Sequence, residues 1–439
     1  MRILISGGRV VDPGNLDGKM DILVDDDKIV KIVKTVSGEN SPPDKLHDKP
    51  YDKTVDKVIN ASGKIVTPGL IDMHVHLREP GHEYKETIES GCVAAVSGGF
   101  TAVCCMPNTN PVNDNRQVTE YILKKAGEAG CARVYPVGAI SKGLKGDGLC
   151  EYGDLKSAGA VAVSDDGNPV IDSLLMRRAL EYADGFGLRV ISHCEDLPLA
   201  RGGAMNEGAV ATRMGLAGIP NAAESIMVMR DIALCELTGV PVHIAHVSTM
   251  ESVRAIRDAK KRGAPVTAET APHYFTLTEK AVKDYNTNAK MSPPLRSAND
   301  RQAIINGLAD KTIDVIASDH APHSSIEKDV EFDMAANGIV GLETSVSLSL
   351  KLVEQGVITI VELIEKMSTN PAGILGLKGG LNIGGMADIT IIDPDVSFSV
   401  DAGSFKSLSK NTPFDRLNLK GRAILTMVGG KIVYDGFAK

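Results

Sequence analysis

Two histidines two residues apart, His74 and His76 in LIDMHVHLREPG, are the first residues in the chain whose spacing suggests chemistry. On a strand, positions i and i+2 project to the same side, so both imidazoles can bind one metal ion at little ordering cost. His193 in VISHCED, His246 in HIAHVST and Asp319 in IASDHAPH each follow an apolar run in the same way. Imidazoles mixed with a carboxylate suit Zn2+ or a similar divalent ion, whereas Mg2+ or Ca2+ would call for oxygen ligands throughout. Such an ion activates water for hydrolysis. Arg78, two residues beyond His76, adds a guanidinium able to grip a carboxylate through two parallel hydrogen bonds. A surface ion pair with Glu79 or Glu83 is its plainer alternative.

These residues need a frame that brings distant strand ends together. From about Ile65, β-branched runs alternate with helix-like stretches: KIVTPGLIDMHVH, TAVCCMPN, ARVYPVGAI, GAVAVSDDG, LRVISHCED, VPVHIAHVS, APVTAETAPH and IDVIASDHAPH. In nearly every run the apolar residues come first and the polar ones gather at the carboxyl end, the face where barrels assemble their sites. The expected fold is therefore α/β, a (β/α)8 barrel of the TIM type. An open doubly wound sheet would call for a GxGxxG turn after the first strand, which is absent. Alternating segments at both termini (RILISGGRVVD, DILVDDDKIVKIV, ADITIIDPD and AILTMVGGKIVYDG) read as one small β-domain built from the chain ends. The expected division is 1–64 and 381–439 for that domain and 65–380 for the barrel. The polar, Pro-bearing stretch SGENSPPDKLHDKPYDKTVDK reads as an exposed loop, with His47 solvated in it.

Bulk properties exclude several classes. The 439 residues, 43% hydrophobic, suit one large barrel with an accessory unit. The net charge of −8 is spread along the chain without a basic run, which argues against a nucleic-acid partner. No run of eighteen apolar residues occurs, and the amino terminus lacks a leader pattern, so a cytoplasmic protein without membrane association is expected. The seven cysteines lack CxxC spacing and read as reduced core residues.

The pieces DMHVHLREPG, GGFTAVCCMPNT, VSDDG, SHCED, AHVST, SPPLR, ASDHAPH and GIVGLET, in this order along nearly the whole chain, resemble the class I dihydroorotases of the amidohydrolase superfamily. LREPG directly after HVH is more specific than HxH itself. The resemblance implies two Zn2+ per subunit, one on His74, His76 and Asp319 and the other on His193 and His246. Asp166 would bridge them in place of the carboxylated lysine of many relatives; Asp165 is the neighbouring alternative, and a plain DDGN turn the bland one. It also implies substrate contacts from His76, Arg78, Asn108, Ser292, His323, Asn337 and Gly338, the last two through backbone groups, and a closing loop between His323 and Gly341. The activity implied is reversible cyclisation of N-carbamoyl-L-aspartate to L-dihydroorotate in de novo UMP synthesis. Asp319 would serve as metal ligand, base and acid in turn. It further implies a homo-oligomer, with a dimer as one form, and association with aspartate carbamoyltransferase as in some class I relatives.

One residue departs from the pattern. Ser292 stands where class I dihydroorotases usually carry asparagine, and a serine there is reminiscent of hydantoinases. Hydantoinase- or allantoinase-like hydrolysis of other cyclic ureides is thus the enzymatic rival, discriminated by the carboxylate clamp of Arg78, Asn108 and His323. A metal-free scaffold subunit is the non-catalytic rival, disfavoured because every ligand position holds a competent residue. The remaining histidines, His82, His243, His273 and His320, read as structural or as supports for the ligands.

Overall fold

The computed structural model describes residues 1–35 and 55–437, so His47 and all but the last three residues of the expected 37–57 loop lie outside them. Eight parallel strands form the barrel: Leu70–Val75, Phe100–Cys105, Arg133–Gly138, Ala162–Val163, Arg189–Ser192, Val242–Ile244, Val266–Thr270 and Val315–Ile316. They neighbour one another in chain order; seven each fall within one of the eight apolar runs, and Phe100–Cys105 starts one residue ahead of TAVCCMPN. The first and last strands meet where Val75 bridges His320 and the His76 N–H donates to the His320 carbonyl at 2.8 Å, which closes the ring at its carboxyl end. Met73, Cys104, Met106, Val137, Ala162, Ile191, Ala245, Val315 and Ala317 fill the interior. The barrel is a packed core with a floor of apolar side chains beneath its mouth.

Helices cover the outside, and their ends follow local chemistry. Met250–Lys261 is capped by the Thr249 hydroxyl, which accepts from the Ser252 N–H, and buries Val253, Ile256 and Ala259 along one stripe. Arg116–Ala129 starts from Asn115 and stops at Gly130, whose φ of 66° suits glycine.

The chain ends build a second sheet in the order Lys431–Asp435, Asn418–Val428, Ile389–Ser399, Ile65–Pro68, Arg2–Asp12, Leu16–Asp25 and Lys28–Lys34, with Lys57–Asn60 also beside Arg2–Asp12. It has its own core around Ile3, Ile5, Val10, Ile22, Val24, Ile389, Ile391 and Met427. The run KIVTPGLIDMHVH, expected to open the barrel whole at residue 65, divides. Ile65–Pro68 pairs with Arg9–Val10 and with Ile389–Ile392, and only Leu70–Val75 enters the barrel. Gly69 separates the two pieces, and a Cβ there would lie 2.0 Å from the Thr101 hydroxyl oxygen.

Between Ile389–Ser399 and Asn418–Val428 the chain leaves the small domain and runs to the barrel mouth. The Lys406 and Ser407 N–H groups donate to Glu343, the Leu408 N–H to Glu86, and the Ser409 hydroxyl to the Lys85 carbonyl. All seven cysteines are free, and every one except Cys131 is buried. Among the described residues no helix is long and apolar enough to cross a membrane.

Candidate metal centre and active site

Each ligand candidate stands where its strand stops. His74 lies within the first strand near its end, His76 just beyond it, and His193, His246, Asp166 and Asp319 within three residues after theirs. Non-glycine residues rarely adopt positive φ, yet Arg78 (62°), His246 (31°) and Asp319 (49°) all do. Strain of this kind costs about 1–3 kcal/mol per residue and gathers at functional sites. Six further non-glycine residues among those described share it away from these ligands, so positive φ alone does not mark the site; at Arg78, His246 and Asp319 it coincides with the cluster.

Asp166 sits at the centre. Its Oδ1 is 3.4 Å from His74 Nε2, 3.3 Å from His193 Nδ1 and 3.4 Å from His246 Nε2, while its Oδ2 is 3.5 Å from His76 Nε2. Asp319 Oδ1 lies 3.3 Å from His76 Nε2 and 3.7 Å from His74 Nε2. Two sets, His74 with His76 and Asp319, and His74 with Asp166 and His246, bring all their ligand atoms within 4.8 Å of one another. His193 joins through Asp166 and through His246, whose Nε2 is 2.8 Å from His193 Nδ1. All six residues are buried. Asp165 faces elsewhere: its carboxylate accepts from the Ile140 N–H at 2.7 Å and the Ser141 N–H at 3.0 Å.

The electrostatics call for a cation. Burial alone would lower the His74 pKa, but the Asp166 and Glu269 carboxylates hold it well above the ordinary imidazole value. Burial would likewise raise Asp166, yet His74, His193 and His246 keep it well below the usual carboxylate range. Against its own burial, His193 is pushed up to about 10 by Asp166 and Glu195. Positive charge is wanted where these groups converge, and a divalent ion supplies it without protonating the imidazoles. His74 Nε2 and Asp166 Oδ1 are buried without a hydrogen-bond partner. Such orphaned atoms cost about 1–3 kcal/mol each, which coordination would offset. The residues present fit a divalent-ion centre with nitrogen and oxygen ligands.

Supporting contacts set the ring tautomers. The His76 Nδ1–H donates to Asn108 Oδ1 at 2.9 Å, and the Asn108 amide donates to the Asp166 carbonyl at 3.4 Å. Glu269, which the sequence reading passed over, takes His74 Nδ1 at one oxygen and His243 Nε2, 3.2 Å away, at the other. Its only sequence signal was a carboxylate at the polar end of the seventh run, APVTAETAPH. His320 accepts from the Gly341 N–H at 3.1 Å and lies 3.3 Å from Glu86, His82 stacks edge-on against Tyr84, and His273 packs against the Tyr274 ring.

Arg78 is half-buried beside the cluster. Its Nε donates to the Pro322 carbonyl at 3.1 Å, one terminal nitrogen lies 3.2 Å from His323 Nε2, and among the described residues it pairs with no carboxylate, Glu79 and Glu83 included. His323 Nε2–H donates to the Asn337 carbonyl at 2.8 Å, and burial, then Arg78, pushes its pKa down to about 3. The Gly338 N–H donates to the Lys290 carbonyl at 3.0 Å, so it is already engaged. The Ser292 hydroxyl faces Glu195 Oε1 at 3.4 Å. The segment beyond His323 is anchored by Lys328, whose ammonium donates to the Thr287, Lys290 and Ala336 carbonyls. Beside His323 and Lys328 opens a cavity of about 530 Å3.

Residues 63–252 match the family described as Dihydro-orotase-like. Over 434 residues the chain is 59% identical to a dihydroorotase from Desulforapulum autotrophicum, with 99% of each chain covered. A dihydroorotase from Syntrophus aciditrophicus is 56% identical, again with 99% of each covered. Among solved structures, L-hydantoinase (dihydropyrimidinase) from Arthrobacter aurescens superposes with a TM-score of 0.85 at 27% identity, over 99% of this chain and 96% of that one.

Proposed function

The chain belongs to the dihydroorotase family of metal-dependent cyclic-amide hydrolases, and on that premise we propose that it is a class I member catalysing the reversible cyclisation of N-carbamoyl-L-aspartate to L-dihydroorotate and water, with two zinc ions per subunit. The observation that carries this reading is Arg78, a half-buried guanidinium without a carboxylate partner among the described residues, set beside a buried cluster of imidazoles and carboxylates.

In this reading His74, His76 and Asp319 would hold one ion and His193 and His246 the other, with Asp166 available to both. Ions bound there supply a water of lowered pKa and Lewis acidity at the scissile carbonyl. In the hydrolytic direction the water oxygen bonds to the ring carbonyl carbon, the carbon–nitrogen bond breaks, and the nitrogen leaves with a proton. Asp319 turns Oδ1 to His74 and His76, which leaves Oδ2 to take the proton from the attacking water and return it to the departing nitrogen. His76 would hold an ion and contact the substrate as well. Arg78 and Asn108 hold the substrate carboxylate, joined by His323 once its Nε2–H turns from the Asn337 carbonyl to the substrate, while Ser292 and the Asn337–Gly338 backbone flank the ring. Removing the carboxylate from the substrate would leave the guanidinium unpaired.

A hydantoinase-like preference for neutral rings is the second reading, favoured by Ser292 and by the L-hydantoinase neighbour. Rates on L-dihydroorotate, hydantoin and allantoin with the zinc-loaded protein separate the two. We expect dihydroorotate to be turned over at least roughly a hundredfold faster, equivalent to about 3 kcal/mol, the upper end of what an unmet buried polar group costs. Faster opening of hydantoin or allantoin would overturn the assignment. Homo-oligomerisation belongs to the same proposal and is supported by Ile226, Met229 and Leu237, exposed along one side of the helix Ala222–Thr238.

A further inference from the structure

Asn411 lies on the excursion of the small domain, 5% exposed at the barrel mouth, and nothing in the family reading gives it a role. Its side chain bonds on both sides. Oδ1 accepts from the His323 N–H at 3.1 Å, and Nδ2 donates to the Ala321 carbonyl at 3.2 Å and to the Gly338 carbonyl at 3.0 Å. Its own carbonyl accepts from the Val340 N–H at 2.9 Å. One side chain thus bonds the segment that carries His323 and the segment that carries Asn337 and Gly338.

The two segments already touch, since the Ala321 N–H donates to the Ile339 carbonyl at 2.7 Å. They approach so closely that a Cβ on Gly338 would meet the Ala321 Cβ at 2.5 Å. The excursion is itself fixed there by Phe414, buried in one cluster with Tyr274, Met291, Leu295, Phe332 and Ile339. We propose that Asn411 is a positioning residue that sets substrate affinity, by fixing His323 against the 337–340 segment so that it stands beside Arg78 before substrate arrives. The small domain thereby completes the clamp. This inference rests on the clamp reading of Arg78, Asn108 and His323.

The clamp grips a group remote from the breaking bond. Binding of that group is shared by ground and transition states, so its loss raises KM and spares kcat. Asn411→Asp keeps the volume and the acceptor for the His323 N–H but turns oxygen lone pairs toward two carbonyls; Asn411→Ser removes most of the reach and adds no charge. On metal-loaded enzyme we expect KM for L-dihydroorotate to rise about tenfold or more in both variants, equivalent to roughly 1.4 kcal/mol or more. We expect kcat to stay within about threefold and metal content to stay unchanged.

Folded variants with wild-type KM, or with kcat lowered at unchanged KM, would overturn the inference while leaving the function intact. Failure of both variants to fold would assign Asn411 to stability alone and overturn it equally. A metal-loaded wild type that does not turn over dihydroorotate would remove the clamp reading and this inference with it.

Discussion

Glu269 Oε1 lies 2.5 Å from Nδ1 of His74, and neither residue has measurable contact with solvent beyond 1%. Burial would raise the Glu269 carboxyl, but His74 and His243 hold it well below the usual range, so it is ionised at working pH. The pair fixes His74 with its proton on Nδ1 and its lone pair on Nε2, the atom that faces Asp166 and Asp319. A carboxylate behind a ligating histidine raises its basicity as well as orienting it.

Glu269→Gln retains an acceptor and removes the charge. Its expected effect is a fall of about 10–100-fold in affinity for the ion on His74, read by competition with a chromogenic chelator. Unchanged affinity would mean that Glu269 serves packing only.

Away from the site, Lys366 is 2% exposed and donates to the Ile313 carbonyl at 2.6 Å, and burial pushes its ammonium pKa down to about 8. The unfolded chain holds that proton up to the ordinary lysine value, near 10.5. Between about 8 and about 10.5 the unfolded state therefore binds more protons, and stability rises with pH; below about 8 the penalty is fully present. Lys366→Met should flatten that rise by on the order of 2–3 kcal/mol. Part of the gain at neutral pH is offset by about 1 kcal/mol for the unpaired Ile313 carbonyl. Denaturant melts of both proteins at pH 7.5 and pH 10 check this, and an equal pH dependence in the two would contradict it.

The barrel was legible because buried parallel strands read as short apolar runs and because its chemistry gathers at their carboxyl ends. His193, His246 and Asp319 announce themselves in that way. Other features leave weaker marks. KIVTPGLIDMHVH is apolar on both sides of Gly69, so nothing in its pattern tells that Ile65–Pro68 pairs with the chain ends. Asp165 and Asp166 are identical in type, and their separation comes from where Ile140 and Ser141 offer N–H groups to one of them. Asn411 was invisible for a different reason: SFKSLSKNTPF has no periodicity, and its order derives from bonds to Glu343, Glu86 and the clamp segments, far off in sequence.

In the proposed mechanism Arg78 makes the site specific for a ring bearing a carboxylate. The most direct measurement is kcat/KM for L-dihydroorotate and for hydantoin on zinc-loaded wild type and Arg78→Ala, with bound metal quantified in both. Arg78→Ala should keep its metal, lose about a hundredfold or more on dihydroorotate, as expected for removing one half of a charge-assisted bidentate contact, and lose little or nothing on hydantoin. Retention of the dihydroorotate rate, or an equal loss on both rings at full metal occupancy, would contradict it.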